Sequence, residues 1–243
     1  MAKAIYKGLP KEHEFVVVKR DLQDKFWEGK AELQPAGTVV DGDVYILAVK
    51  PISFHPATEP LVDKDEVVIS IMAGISKDMI CERMQNEDVV RCMPNLPVSI
   101  GEGYIPYTVT TEKAERRFKE LFSPLGHLES TEEEYLDALT ALTGTSPLYI
   151  SVFIDALLDA GIKVGLPREM VRTAAVQCTI GGARYLQHEK IHPMELKDMV
   201  SSPAGTSIHA LHNLEKSGVK AAIIDAVEMA YNRSKQLKSL REI

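Results

Sequence analysis

The stretch MAKAIYKGLPKEHEFVVVKR, Met1–Arg20, decides how the rest of the chain is read. Its first ten residues have the pattern of a short amphipathic helix closed by Gly8 and Pro10, and EFVVVKR (14–20) has the pattern of a strand. A helix feeding a parallel strand is the second half of a βα unit. The reading therefore raises the question of the strand and phosphate-binding turn that would come before Met1.

Working outward, the next apolar runs are DVYILAVKP (43–51), DEVVISIMAG (65–74) and EDVVRCMPN (87–95). They are rich in Val and Ile and do not alternate cleanly, as expected of strands covered on both faces. QDKFWEGKAEL (23–33) and SKDMICERM (76–84) fit crossover helices, the second with Ser76 as N-cap. In SFHPATEPLVDKD (53–65), Pro56 and Pro60 allow only a short or broken crossover. EGYIPYTVT (102–110) reads as a further strand, and TEKAERRFKELFSPLG (111–126) as a helix ending near Ser123-Pro124. Stacked in this order, the units give a doubly wound parallel sheet.

From about Thr131 the pattern is wholly helical. TEEEYLDALTALTG (131–144) opens with Thr131 in the N-cap position and Glu134 in the capping-box position. The segments 146–165, 166–187, 192–200 and 218–237 follow with apolar residues at three- and four-residue spacing, and Pro or Gly marks their joints. YISVFIDALL (149–158) is apolar around most of its circumference. A half-chain of this size cannot cover that much apolar face by itself, so burial against another subunit is expected. The fold class is thus α/β, with a Rossmann-like domain over 1–130 and an all-α dimerisation and substrate domain over 131–243.

Composition narrows the function. The net charge is −7 and no dense Lys/Arg stripe occurs, which argues against a dedicated nucleic-acid binder. No signal-peptide pattern opens the chain, and no uninterrupted apolar run approaches the ~18 residues of a membrane span, so no membrane is expected. Cys81, Cys92 and Cys178 are odd in number, far apart and without CxxC spacing. They suggest neither disulfides nor a thiolate metal site; partly buried apolar packing and a reducing cytoplasmic location are expected.

In a doubly wound sheet, ligands bind beyond the carboxyl ends of the strands. Those ends carry Ala48-Val49-Lys50-Pro51, Met72-Ala73-Gly74 and Met93-Pro94-Asn95, where small residues would let a nucleotide approach the backbone. The first strand ends in Lys19 and Arg20, where basic residues suit the 2′-phosphate of NADPH, while Asp21 beside them keeps NADH open. The basic strand end is equally compatible with a solvated surface; each small-residue turn alone is weak, but three at successive strand ends favour a ligand crevice.

In the helical half, Ser201–Ser207 places four hydroxyls within seven residues, ahead of a helix expected to begin near Ile208. Free N–H groups, hydroxyls and Gly205 make a carboxylate site, beyond what a single helix cap needs. HEKIH (188–192) matches the zinc-hydrolase pattern, with His188, Glu189 and His192 as the candidate set. Pro193 follows His192, however, and should end the helix first, so no metal is expected. His209 and His212 have no carboxylate or thiolate at useful spacing and are expected to serve packing or solvent contact.

Together these stretches resemble the pyrroline-5-carboxylate reductase family, from Met1 to about Leu240. The most specific part is HPMELKDMVSSPAGTSIHALHNLEKSG (192–218), supported by ILAVKP (46–51), VVRCMPNLPVSIGEG (89–103), residues 141–169 and DAVEMAYNRSKQL (225–237). The resemblance implies reduction of Δ1-pyrroline-5-carboxylate to L-proline with NADPH, or NADH, in a homodimer that can assemble into a decamer. It implies a substrate carboxylate at Ser202, Pro203, Gly205, Thr206 and Ser207, with Thr206 and Ser207 in the catalytic position. It also implies that Thr145, within Thr143–Pro147, lies near nicotinamide and substrate. Lys19, Arg20, Ala48, Val49, Lys50, Pro51, Ala73, Gly74, Met93, Pro94 and Asn95 are the implied cofactor contacts.

Three departures from the family pattern stand out. Ser146 and Leu148 replace a Gly and an Ala, and Ala204 replaces a Gly in the carboxylate turn, where positive φ would strain it. The family also begins with a strand and a glycine-rich turn ending in Gly-Asn-Met, and Met1 stands where that Met does. The alternative these departures motivate is an oligomerising paralogue without cofactor binding.

Overall fold

The structure, a computed structural model, describes residues 1–239; residues 240–243, the end of the expected second domain, lie outside the described residues. Two compact units are present: Met1–Thr145 together with the chain from Ala230 on, and Ser146–Met229.

In the first unit, helix α1 (Ala2–Gly8) leads into strand β1 (Val16–Lys19), as the opening stretch predicts. β1 pairs in parallel with β2 (Glu32–Pro35) to form a separate two-stranded sheet. The crossover helix expected over 23–33 is not formed. Residues Lys25–Trp27 make a single 3₁₀ turn, Gly29 turns the chain at φ +66°, and the segment ends as β2. Only 12 residues separate β1 from β2, which leaves little room for a packed helix plus its two turns.

A five-stranded sheet follows in the order β3 (Val44–Leu47), β4 (Val67–Ser70), β5 (Val89–Cys92), β6 (Gly103–Val109), β7 (Gly126–Ser130). β3, β4 and β5 run parallel, linked by the broken crossover around α2 (Phe54–Thr58) and by α3 (Lys77–Met84). Ser76 caps α3, its Oγ accepting from Met79 N at 3.2 Å. β6 is antiparallel to β5 because a single 3₁₀ turn, Leu96–Ile100, joins them and cannot carry the chain across the sheet. Helix α4 (Glu112–Phe122) then returns the chain to β7, parallel to β6.

Two apolar layers sandwich this sheet. On one face α1 and α4 bury Ile5, Leu9, Phe118 and Phe122 against Val67, Ile69, Val90 and Cys92. On the other, Phe54, Ile80 and Met84 close over Tyr45, Leu47, Val68 and Val89. α1 lies so close to the 3₁₀ turn Leu96–Ile100 that a Cβ on Gly8 would stand 2.0 Å from the Val98 carbonyl oxygen. Burial pushes the Cys92 thiol pKa up, and burial does the same for Cys81. Cys178 is exposed rather than partly buried.

Beyond β7, Thr131 does not cap a helix: its N–H donates to Tyr107 O at 2.9 Å and extends the sheet. Glu134 is exposed and forms no capping box. The chain enters a 3₁₀ turn, Glu133–Tyr135, then α5 (Leu136–Leu139) and a π-helical turn over Thr140–Gly144.

The second unit is helical: α6 (Ser146–Lys163), α7 (Arg168–Glu189), α8 (Pro193–Met199), α9 (Thr206–Lys216) and most of α10 (Val219–Ser239). α6 contains no buried residue, although it is the most apolar of them. The helical run Glu133–Lys163 is long and apolar enough to cross a membrane by length and composition, which the interrupting Ser151 and Asp155 obscure in the sequence.

Candidate functional site

The parallel arrangement of β3, β4 and β5 aligns their carboxyl ends side by side, so Ala48–Pro51, Met72–Gly74 and Met93–Asn95 lie along one edge of the sheet. Met72 and Met93 are buried, so these turns offer backbone and small side chains rather than thioethers. Gly74, at φ +74°, holds a conformation that keeps side chains out of the way of a ligand. Such an edge fits the nucleotide that the sequence pattern calls for.

The Asn95 side chain is engaged within the protein. It is 7% exposed, its Nδ2 donates to Thr143 O at 3.1 Å, and its Oδ1 accepts from Tyr104 N at 3.0 Å. The amide therefore pins the π-helical turn to the sheet. π-helical turns leave their carbonyls poorly matched, so an external donor at Thr143 stabilises this one. Thr145, the next residue on, follows this turn directly.

A second anchor for the same segment was invisible in the sequence. Arg91, 4% exposed in β5, pairs with Glu133 at 2.9 Å and with Asp137 at 3.4 Å. Glu133 Oε1 also accepts from Lys77 N at 2.9 Å, at the start of α3. Only the Val-Val-Arg-Cys run hinted at this, since a cation amid a buried strand needs an acidic partner.

At the end of β1, Lys19 Nζ binds Asp24 at 2.6 Å, and Lys3 binds the same carboxylate at 2.9 Å. The hydrogen bonds from Lys19 and Lys3 hold the Asp24 carboxyl well below the usual carboxylate range. Lys19 is thus already partnered, whereas Arg20 is exposed at the strand end.

In the second unit, α9 starts at Thr206, two residues earlier than expected, and no side chain caps it. Thr206 and Ser207 therefore lie in its first turn, and its leading N–H groups are open to an anion. Ser202 and Pro203 are exposed, and Gly205 approaches Ser202 so closely that an added Cβ would stand 2.4 Å from the Ser202 Oγ. Ala204 holds φ +57°, the strained conformation the sequence pattern points to. Replacing Ala204 by Gly is expected to stabilise the chain by about 0.5–1 kcal/mol, the relief of strain exceeding the entropy cost of glycine. Urea denaturation measures this; a loss of stability would show that Ala204 is unstrained.

α7 stops at Glu189, Lys190 adopts φ +55°, and His192 is the N-cap of α8. His192 Nδ1 accepts from Met194 N at 3.2 Å and its N–H donates to Glu195 at 3.1 Å, a capping box. His188 and His192 thus belong to different elements, and the zinc-hydrolase arrangement is not built. His209 and His212 are exposed on α9. Tyr149, in the first turn of α6, carries a buried hydroxyl without a hydrogen-bond partner among the described residues.

Residues 133–237 match the family model described as pyrroline-5-carboxylate reductase dimerisation. The chain is 39% identical to the pyrroline-5-carboxylate reductase of Thermus thermophilus over 79% of this chain and 74% of that protein. It is 34% identical to the Synechocystis enzyme of the same name, over 90% and 84% respectively. Its fold matches the crystal structure of Plasmodium falciparum pyrroline carboxylate reductase with NADP bound, with a TM-score of 0.84 at 25% identity over 97% of this chain and 93% of that one.

Proposed function

The chain belongs to the pyrroline-5-carboxylate reductase family, and from that footing we propose that it reduces Δ1-pyrroline-5-carboxylate to L-proline in proline biosynthesis. The observation that carries the reading is the nucleotide-type strand edge of the first unit, Ala48–Asn95; the second unit separately offers an uncapped helix start at Thr206–Ser207. When bound, the nicotinamide cofactor supplies hydride to the carbon of the substrate C=N bond. That addition leaves the π pair on nitrogen, which takes up one proton.

The chain's own residues bind and orient. Ala48, Val49, Lys50, Pro51, Ala73, Gly74, Met93, Pro94 and Asn95 would hold the cofactor through backbone and short side chains. Arg20, free of the Lys19–Asp24 pair, favours the 2′-phosphate and hence NADPH over NADH. Ser202, Pro203, Gly205, Thr206 and Ser207 would grip the substrate carboxylate, and Thr145 would sit near the ring. Ser207 would position the water that protonates the nascent amine. In this reading residues 1–130 form the cofactor domain, residues 131–243 form the dimerisation and substrate domain, and dimers associate into a decamer in the cytoplasm without membrane attachment.

The test is proline formation coupled to NADPH oxidation by the purified chain. Ser207→Ala is expected to raise KM for the imine about 10- to 100-fold, the worth of a hydrogen bond to a charged group. Absence of turnover with either cofactor would overturn the assignment.

A further inference from the structure

β5 and the turn that ends it grip the segment after β7 at two heights. Within the strand, Arg91 holds Glu133 and Asp137. Just beyond it, where Met93-Pro94-Asn95 closes the nucleotide-type edge, the Asn95 amide holds Thr143. Asn95 and Thr143 are both buried, so water does not compete for this contact. Both grips start from one strand and its end, so α5 and the π-helical turn Thr140–Gly144 are fixed to the same edge of the sheet.

The sequence shows why Thr143 needs a donor from elsewhere. In an α-helix its carbonyl would accept from the residue four positions later. That residue is Pro147, which has no N–H, and a proline ring crowds the carbonyl four residues before it. The helix widens into a π turn just ahead of this proline. The Thr140 and Thr143 hydroxyls donate back to Leu136 O at 2.6 Å and Leu139 O at 2.8 Å, so neither serves that carbonyl. Asn95 Nδ2 serves it instead, at 3.1 Å. Tyr104 N of β6 donates to the Asn95 Oδ1 at 3.0 Å and so fixes the orientation of the amide.

We propose that Asn95 is a positioning residue of the reduction: by donating to the Thr143 carbonyl it holds the π-helical turn, and so sets where Thr145 stands relative to the nucleotide-type edge. The proposal rests on the assignment of Thr145 beside the reacting ring. A π turn carries one residue more than the α turn it replaces. An α-helix advances about 100° per residue, so relaxation of the turn to regular helix would swing Thr145 by about 100° relative to α5. A misplacement of about 1 Å at a reacting centre costs about 100-fold in rate. The Asn95 side chain thus acts on the reaction through the turn, not by touching the imine.

The test compares Asn95→Asp, which keeps the acceptor for Tyr104 N and loses the donor to Thr143, with Asn95→Ala, which loses both. In the chain without cofactor, Asn95→Asp is expected to speed amide exchange at Gly144 and Thr145 about 10-fold, the worth of one hydrogen bond, and to leave Tyr104 protected. In turnover, either variant is expected to lower kcat about 100-fold while NADPH affinity by titration stays within about twofold. Thr145→Val alone is expected to lower kcat as well. Adding it to Asn95→Ala is expected to cost little more, since the hydroxyl is already out of place. Unchanged exchange, unchanged kcat, a loss confined to NADPH affinity, an ineffective Thr145→Val, or independent losses in the double variant would each overturn the proposal. So would failure of both Asn95 variants to fold, which would give Asn95 a structural role alone. Absence of turnover by the unsubstituted chain is a separate result: it overturns the assigned reaction and the proposal with it, whereas the other failures leave the reaction standing.

Discussion

Replacing Phe153 by Glu is expected to leave the chain monomeric and to abolish turnover. α6 presents Leu148 at 58%, Ile150 at 48%, Val152 at 62% and Phe153 at 51% exposure, on a helix with no buried residue. Exposed apolar surface of this extent marks an interface. The segment that carries it is the one matched by the dimerisation family, so a second subunit is what covers it. A carboxylate buried there without a partner costs several kcal/mol, and two-fold symmetry doubles the cost. A total of about 6 kcal/mol weakens the dimer about 10⁴-fold. Light scattering after size exclusion reads the state directly. A dimer that survives with full activity would place Phe153 outside the contact and require another face, such as Ile223 and Ile224 of α10, to carry it.

Replacing Arg91 by Ala is expected to destabilise the chain by about 3–5 kcal/mol, the cost of leaving buried acids without their cation. Glu133 and Asp137 keep only 25% and 20% of their side chains exposed, so water cannot replace the guanidinium fully. The Arg91 Nε is itself buried without a hydrogen-bond partner among the described residues, so the wild-type network is not at its electrostatic best. Combining Arg91→Ala with Glu133→Gln and Asp137→Asn should therefore recover part of the loss, whereas a merely steric role for Arg91 would show no recovery. Guanidinium denaturation of the single and combined variants distinguishes the two outcomes, and a single-variant loss below about 1 kcal/mol would leave the ion pairs with no net contribution.

The central strands were legible because β4 and β5 are buried at every position, and β3 at alternate ones, so they read as Val/Ile-rich runs. The edge strands were not. β2 is Glu-Leu-Gln-Pro and β7 is Gly-His-Leu-Glu-Ser, short and polar as strands at an edge tend to be, and Pro35 closes the first of them. The reversal of β6 was hidden because its cause is the length of one turn, not the composition of the strand. At the site, Ala204 was readable in advance because positive φ is a property of one backbone position. The roles of Arg91 and Asn95 were not, since each depends on a partner more than 40 residues away, brought near only by the fold.

The division of the first unit into two sheets also bears on how its parts come loose. Apart from the flanking Phe15, the β1–β2 pair contributes nothing to either apolar core, and Trp27, packed on Tyr6 and Phe26, is the buried side chain of its connection. A two-stranded ribbon is marginal by itself. Its opening is therefore governed by a few aromatic contacts and the shared Asp24 carboxylate, while the five-stranded sheet stays folded. Arg20, the residue that would tell one dinucleotide from the other, rides on that loosely held piece. If Arg20 contacts the cofactor as proposed, the choice between dinucleotides would be tied to whether the ribbon is shut, an order–disorder balance that temperature and ionic strength shift.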